Sequence, residues 1–243
     1  MTLSERPYLR EISIKTGAIP NRDIYPFSIP SLSGLESLEF HPDVTFFVGE
    51  NGSGKSTLIE AIAVAMGFNA EGGTKQSTFS TRRTHSPLHE YLKTIKSFKR
   101  PTDGYFLRAE SFYNLATLMD ETGYLASYGG LSLHQQSHGE SFMATLVNKL
   151  RGNGLYMMDE PEAALSPARQ MAAVSAIHQL VKENSQFIIA THSPILLAYP
   201  NAKIYSFSNE GIQEVAYEDT EHYAITKEFL NDHQEMMRIL MEE

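Results

Sequence analysis

The sequence predicts an α/β fold with a mainly parallel sheet flanked by helices, and three observations point to it. Val44–Val48 is a β-branched and aromatic run, followed at once by Gly49–Thr57, which reads GENGSGKST, and then by Leu58, Ile59, Ile62, Ala63 and Met66 at helical spacing. From Val44 onward, strand-like runs alternate with helix-like ones. The glycine loop and the acidic pair Asp159–Glu160 both fall where a predicted strand ends, the edge at which parallel sheets bind ligands. All 243 residues are expected to form one domain. Its proline-punctuated N-terminal strands should make an antiparallel β-layer beside the main sheet, and residues 85–140 a short helical lobe.

Composition narrows the classes. Hydrophobic residues make up 42% of the chain, enough for a sizeable core. No apolar run approaches the ~18 residues of a membrane span, and Met1–Arg10 holds no apolar leader core. Cysteine is absent, which excludes disulfides and thiolate zinc sites and fits a cytoplasmic location. The net charge of −9 argues against a chain that grips nucleic acid over its whole surface, leaving only a local basic patch for that role.

Along the chain, Tyr8–Ile14 alternates like an edge strand. Pro20, Pro26, Pro30 and Gly34 make residues 16–36 turns and short strands, and Leu38–Phe40 is a further short strand. Asn69–Pro87 is a long Gly/Ser/Thr loop carrying Gln76, Arg82 and Arg83. Leu88–Phe98 reads as a helix with Lys93, Lys96, Lys99 and Arg100 at or past its end, where cations suit the helix dipole. Gly104–Glu110 reads as a strand, with Arg108 and Glu110 on one face, and Phe112–Met119 as a helix. Gly129–Leu133 is a turn. After it, Ser137 caps a helix carrying Phe142, Leu146, Val147 and Leu150, with Glu140 completing a capping box. Leu155–Met158 is an apolar strand running into Asp159 and Glu160. Ser166 and Pro167 open a helix over 167–182, and Phe187–Thr191 is a strand ending at His192. Ile204–Phe207 and Gly211–Tyr217 form a final hairpin. Thr220 caps a C-terminal helix whose stripe, Tyr223, Phe229, Leu230, Met236, Met237 and Leu240, is core or partner surface.

Gly49–Thr57 fits the phosphate-loop pattern G-x-x-x-x-G-K-[ST] without a mismatch, in strand–loop–helix context. Gly49, Gly52 and Gly54 permit the backbone turns that aim N–H groups at phosphates. Glu50, Asn51 and Ser53 supply the residues between, and the helix N-terminus adds partial positive charge. In such a loop Lys55 reaches the β- and γ-phosphates, Ser56 ligates Mg²⁺ and Thr57 lies beside the α-phosphate. Asp159 would hold Mg²⁺ directly or through water, and Glu160 would polarise the attacking water. Gln76 is either a sensor of the γ-phosphate and Mg²⁺ or a solvated loop residue.

The order of phosphate loop, Ser137-His138-Gly139-Glu140, Asp159-Glu160 and His192 resembles that of the ABC-type ATPases. The phrases FLRAES, SHGES, DEPEAALSP and ATHSPIL resemble more closely a family of small, stand-alone bacterial ATPases, from Leu9 to the final helix. This resemblance implies ATP and Mg²⁺ as ligands and hydrolysis by a head-to-tail homodimer. ATP on Gly49–Thr57 of one copy would be closed by Ser137, His138, Gly139 and Glu140 of the other, with His192 on the γ-phosphate. It also suggests Tyr25 or Phe27 as an adenine-stacking ring, against packing in the β-layer. Two positions depart from the usual pattern: Ser166 stands where transport ATPases place Asp, and Gln136 where the signature usually begins with Leu. Three roles follow: an ATP-driven switch on a protein or nucleic-acid complex, the motor of a membrane transporter, or a nucleotide-gated binding module with little turnover. The resemblance and Ser166 favour the switch.

Overall fold

Three strands of this chain are mostly apolar on both faces, and such strands are stable only with both faces covered. They are β3 (Val44–Gly49), β6 (Gly154–Asp159) and β7 (Gln186–Ala190), nearly every residue of which is buried. In a computed structural model, describing residues 6–15, 17, 22–74, 86–109 and 138–241, they lie at the centre of a six-stranded sheet. Its order is β5-β6-β7-β3-β8-β9, where β5 is Asp103–Arg108, β8 Lys203–Ser208 and β9 Gly211–Val215. All neighbours run parallel except β8 and β9, which form the expected antiparallel hairpin.

One face of this sheet is covered by α2 (Lys55–Ala65), which also packs beneath a second, three-stranded antiparallel sheet, so that Phe47, Ile62 and Leu9 share one core. That sheet orders as β2-β1-β4, with β1 Leu9–Ile14, β2 Ser37–Glu39 and β4 Leu92–Lys96. Gln186, fully buried, ties the layers together: its Nε2 donates to the carbonyls of Leu9 (2.9 Å) and His41 (3.0 Å), and its Oε1 accepts from the Leu9 N–H (3.0 Å). The opposite face packs on α4 (His138–Ala144), which continues as a π-turn over Thr145–Lys149, and on α5 (Pro167–Lys182). Ser166 caps α5, its Oγ accepting from the Arg169 N–H at 3.4 Å. The short α6 (Pro194–Leu197) follows β7. Among the described residues, no helix is long and apolar enough to cross a membrane.

Several expectations need correction. Leu88–Phe98 is not one helix: a single turn, α3 (Leu88–Tyr91), gives way to strand β4. The β-branched Thr94 and Ile95 favour the extended chain, and pairing Ile12 with Thr94 fixes it. β1 is therefore not an edge strand but the middle of its sheet, with Ile12 opposite Leu38 on the other side. Within 85–140, β4 is the unexpected strand and β5 the one expected at Gly104–Glu110, while residues 110–137, with Phe112–Met119 and Gly129–Leu133, lie outside the described residues. Within 16–36, Pro30 opens a short helix, α1 (Pro30–Ser33). The C-terminal helix is two, α7 (Glu221–Asn231) and α8 (His233–Met241), broken at Asp232. Thr220 stands at the N-cap position, but its hydroxyl donates backward to the Tyr217 carbonyl at 2.7 Å. Neither helix has a buried residue, so their apolar stripe is not core.

Candidate functional site at the phosphate loop

The loop between β3 and α2 turns on three glycines with positive φ: Gly49 (145°), Gly52 (79°) and Gly54 (98°). At Gly49 the reason is also steric, because a Cβ there would collide with the Phe207 carbonyl of β8. Lys55 opens α2 and is almost wholly buried; its ammonium donates to the carbonyls of Gly49 (2.7 Å) and Glu50 (2.8 Å). Burial lowers its pKa, while Glu160, Asp159, Glu162 and Glu50 around it hold the ammonium charged.

Ser56, one residue on, donates its hydroxyl to Asp159 Oδ1 at 3.0 Å, joining the start of α2 to the end of β6 across 103 positions of sequence. The carboxylate is further held by Arg108, whose Nε lies 3.6 Å from Asp159 Oδ2 and whose Nη1 donates to Glu60 of α2 at 2.6 Å. Arg108 therefore pairs into the site; Glu110 lies outside the described residues.

Beyond Asp159 the chain reverses sharply. Glu160 adopts φ 52° and ψ 51°, in the left-handed region. Among the described residues four non-glycine positions take positive φ; Asn153, Asn184 and Asn201 are of the type that tolerates it, and Glu160 is the exception. The conformation is held by the Glu160 N–H donating to the Ala190 carbonyl of β7 (2.9 Å) and by the Ala163 N–H donating to the Glu160 carbonyl (3.1 Å).

His192 follows β7, with Nε2 3.7 Å from Glu160 Oε1 and Nδ1 2.9 Å from Nε2 of His222, the second residue of α7. Both imidazoles are held below their usual pKa, first by burial and next by the Lys55 charge. Beneath them Glu162 accepts from the Thr191 hydroxyl (2.7 Å) and the His192 N–H (2.5 Å), and burial pushes its carboxyl up. A cavity of about 290 Å³ opens beside the loop, walled by Gly49–Ser53, by Ser206–Asn209 of the hairpin and by Glu221 and His222.

The structure thus gathers Lys55, Ser56, Asp159, Glu160 and His192 at the C-terminal edge of the parallel strands. It places Gly139 and Glu140 elsewhere, against the start of α5, where Glu140 Oε1 pairs with Arg169 Nη2 at 3.2 Å and a Cβ on Gly139 would overlap Ala164 and Arg169. Gln76, Arg82, Arg83 and Ser137 lie outside the described residues, as does the side chain of His138. Phe27 is buried edge-on against Tyr91, at 5.2 Å between ring centres, whereas Tyr25 is exposed. Lys96, Lys99 and Arg100 line a separate cavity with the exposed Phe98. Sequence reasoning missed Glu60, Glu162 and His222. Glu162 sits inside the DEPEAALSP phrase and was open to notice; nothing near His222 in the sequence marks it.

Residues 27–110 match a family model described as an AAA domain. No curated protein sequence matches the chain. Solved structures similar to it include the SMC head domain from Thermotoga maritima, at 15% identity over 86% of this chain and 98% of that one, with a TM-score of 0.46. Another is cbiO1 from Clostridium perfringens, part of the ABC transporter complex cbiONQ, at 17% identity over 86% and 91%, TM-score 0.46. A third is a nucleotide-free ATP-binding cassette from an ABC transporter, at 21% identity over 85% and 91%, TM-score 0.43. The family match takes in the phosphate loop between β3 and α2 and ends ahead of the carboxylate pair that closes β6.

Proposed function

We propose that this protein binds ATP with Mg²⁺ on Gly49–Thr57 and hydrolyses it as a head-to-tail homodimer, serving as an ATP-driven switch on a protein or nucleic-acid complex. The observation that carries the ATPase reading is the 3.0 Å contact between Ser56 and Asp159, which brings the loop hydroxyl and the strand-end carboxylate onto one point. One hydroxyl and one carboxylate suit Mg²⁺, which keeps several waters and takes its remaining ligands from substrate phosphates. Among the described residues no cluster of three or more His, Cys, Asp or Glu offers an all-protein metal cage instead. When bound, Mg²⁺ neutralises charge on the β- and γ-oxygens.

The chain's own groups do the rest. Lys55 transfers its N–H donors from the Gly49 and Glu50 carbonyls to the phosphates. Glu160 orients the attacking water, and His192 contacts the γ-phosphate. Ser137, Gly139 and Glu140 of a second copy close the site. Catalysis of this kind is positioning plus charge stabilisation. The switch role is supported by the sequence resemblance and by Ser166, whose hydroxyl caps α5 where a transport ATPase carries a carboxylate.

Release of phosphate from ATP with and without Mg²⁺ tests the reading. Lys55→Ala should abolish nucleotide binding. Glu160→Gln should cut turnover by at least ~100-fold and trap an ATP-bound dimer on size-exclusion chromatography, from which a bound partner can be identified. A Glu160→Gln chain that stays monomeric with ATP and Mg²⁺ sinks the dimer. Recovery with an integral membrane protein would replace the switch by a transport motor.

A further inference from the structure

We propose that His222 is a positioning residue that fixes the tautomer of His192, holding its Nε2 as an N–H donor on the phosphate side. The inference rests on the reading of His192 as the group facing the γ-phosphate. Nδ1 of His192 and Nε2 of His222 are 2.9 Å apart, and a hydrogen bond between two neutral imidazoles needs one proton on one of those two nitrogens. The other nitrogen of His192 decides which.

His192 Nε2 is buried, has no hydrogen-bond partner and lies 3.7 Å from Glu160 Oε1. With the proton on Nδ1, Nε2 would aim a lone pair at that carboxylate. With the proton on Nε2, an N–H faces the carboxylate, and the Nδ1 lone pair accepts from the His222 Nε2–H. The second arrangement satisfies both electrostatics and the hydrogen bond. It also presents a donor to the site, where the γ-phosphate of ATP would bring acceptors only.

The charged groups around the pair are Lys55 at the start of α2, Glu50 in the phosphate loop, Glu160 beyond β6 and Glu221 beside His222 on α7. Burial and the Lys55 ammonium both disfavour a positive charge on either ring, and the contact between the rings needs a single shared proton. Because His222 belongs to α7, this bond ties the C-terminal helices to the site.

Nitrogen-15 NMR of the histidine rings reads the tautomer directly in the nucleotide-free protein, apart from any activity. His192 should show a protonated Nε2 and an unprotonated Nδ1. His222→Phe, which keeps a ring and removes the donor, should mix the two forms. His222→Gln, whose amide N–H reaches a similar point, should restore the first. In ATP hydrolysis His222→Phe should lower kcat about 10-fold with KM for ATP within about twofold, and His222→Gln should recover most of that loss. Should His222→Phe fail to fold, the wild-type tautomer and the His222→Gln spectrum still decide. A proton on His192 Nδ1 in the wild type, or a tautomer indifferent to His222→Phe, overturns the proposal. The expected tautomer in a protein that does not hydrolyse ATP would keep the contact and reject the ATPase reading instead.

Discussion

Helix α2 and the helix pair α7–α8 both carry apolar residues at helical spacing, and they meet opposite surroundings. Seven residues of α2 are buried, Glu60 and Lys55 included, because the helix lies between two sheets. In α7 and α8 none is buried, and Leu230 and Leu240 are 70% and 71% exposed. Periodicity reports which face of a helix is apolar; it does not report whether anything covers that face. What distinguishes α2 is its attachment to β3 through a loop whose conformation only its glycines allow, which forces the helix back over the sheet.

The contrast can be pressed by mutation. Ile62→Ala in α2 deletes a fully buried side chain between layers and should cost about 2–5 kcal/mol in urea denaturation; a cost below about 1 kcal/mol would show that α2 is not the packed element described. A smaller effect should follow pH. Burial, then Lys55, holds His192 and His222 below their usual pKa, and burial lowers His41 likewise. The unfolded chain therefore binds more protons than the folded one between those lowered values and about 6.5, so stability should climb with pH through that window and level off above it. Melting temperatures taken from about pH 5 to 7.5 check the sign; His222→Phe should flatten part of the slope, and a midpoint that falls as pH rises through the window would contradict the burial. The smallest change is expected at the far end, where Leu240→Ser on α8 should shift stability by less than about 0.5 kcal/mol. A loss above about 1 kcal/mol would mean that the face is covered in solution.

These elements also show what a sequence discloses. The limits of α5 were readable to the residue, because Ser166-Pro167 is a local start signal whose physics needs no distant partner. The phosphate loop was readable for the same reason: glycines, lysine and hydroxyls act within nine consecutive positions. Strand β4 was not, since Leu92–Lys96 becomes extended by pairing with β1, about eighty residues earlier. Nor was the Arg108–Glu60 pair or the His192–His222 bond, each created when the sheet sets distant ends side by side. Local chemistry is written in the sequence, while the identity of a side chain's neighbour is written in the topology.

The left-handed turn at Glu160 sets two selections against each other. A non-glycine residue pays about 1–2 kcal/mol to sit at φ 52°, and the three other non-glycine residues so placed among the described residues are all asparagine. A population of variants sorted for heat resistance alone would therefore drift toward Gly or Asn at position 160 and gain stability there. Each such chain would lose the carboxylate that stands 3.7 Å from His192 Nε2. If Glu160 orients the attacking water as proposed, robustness and turnover compete for a single side chain.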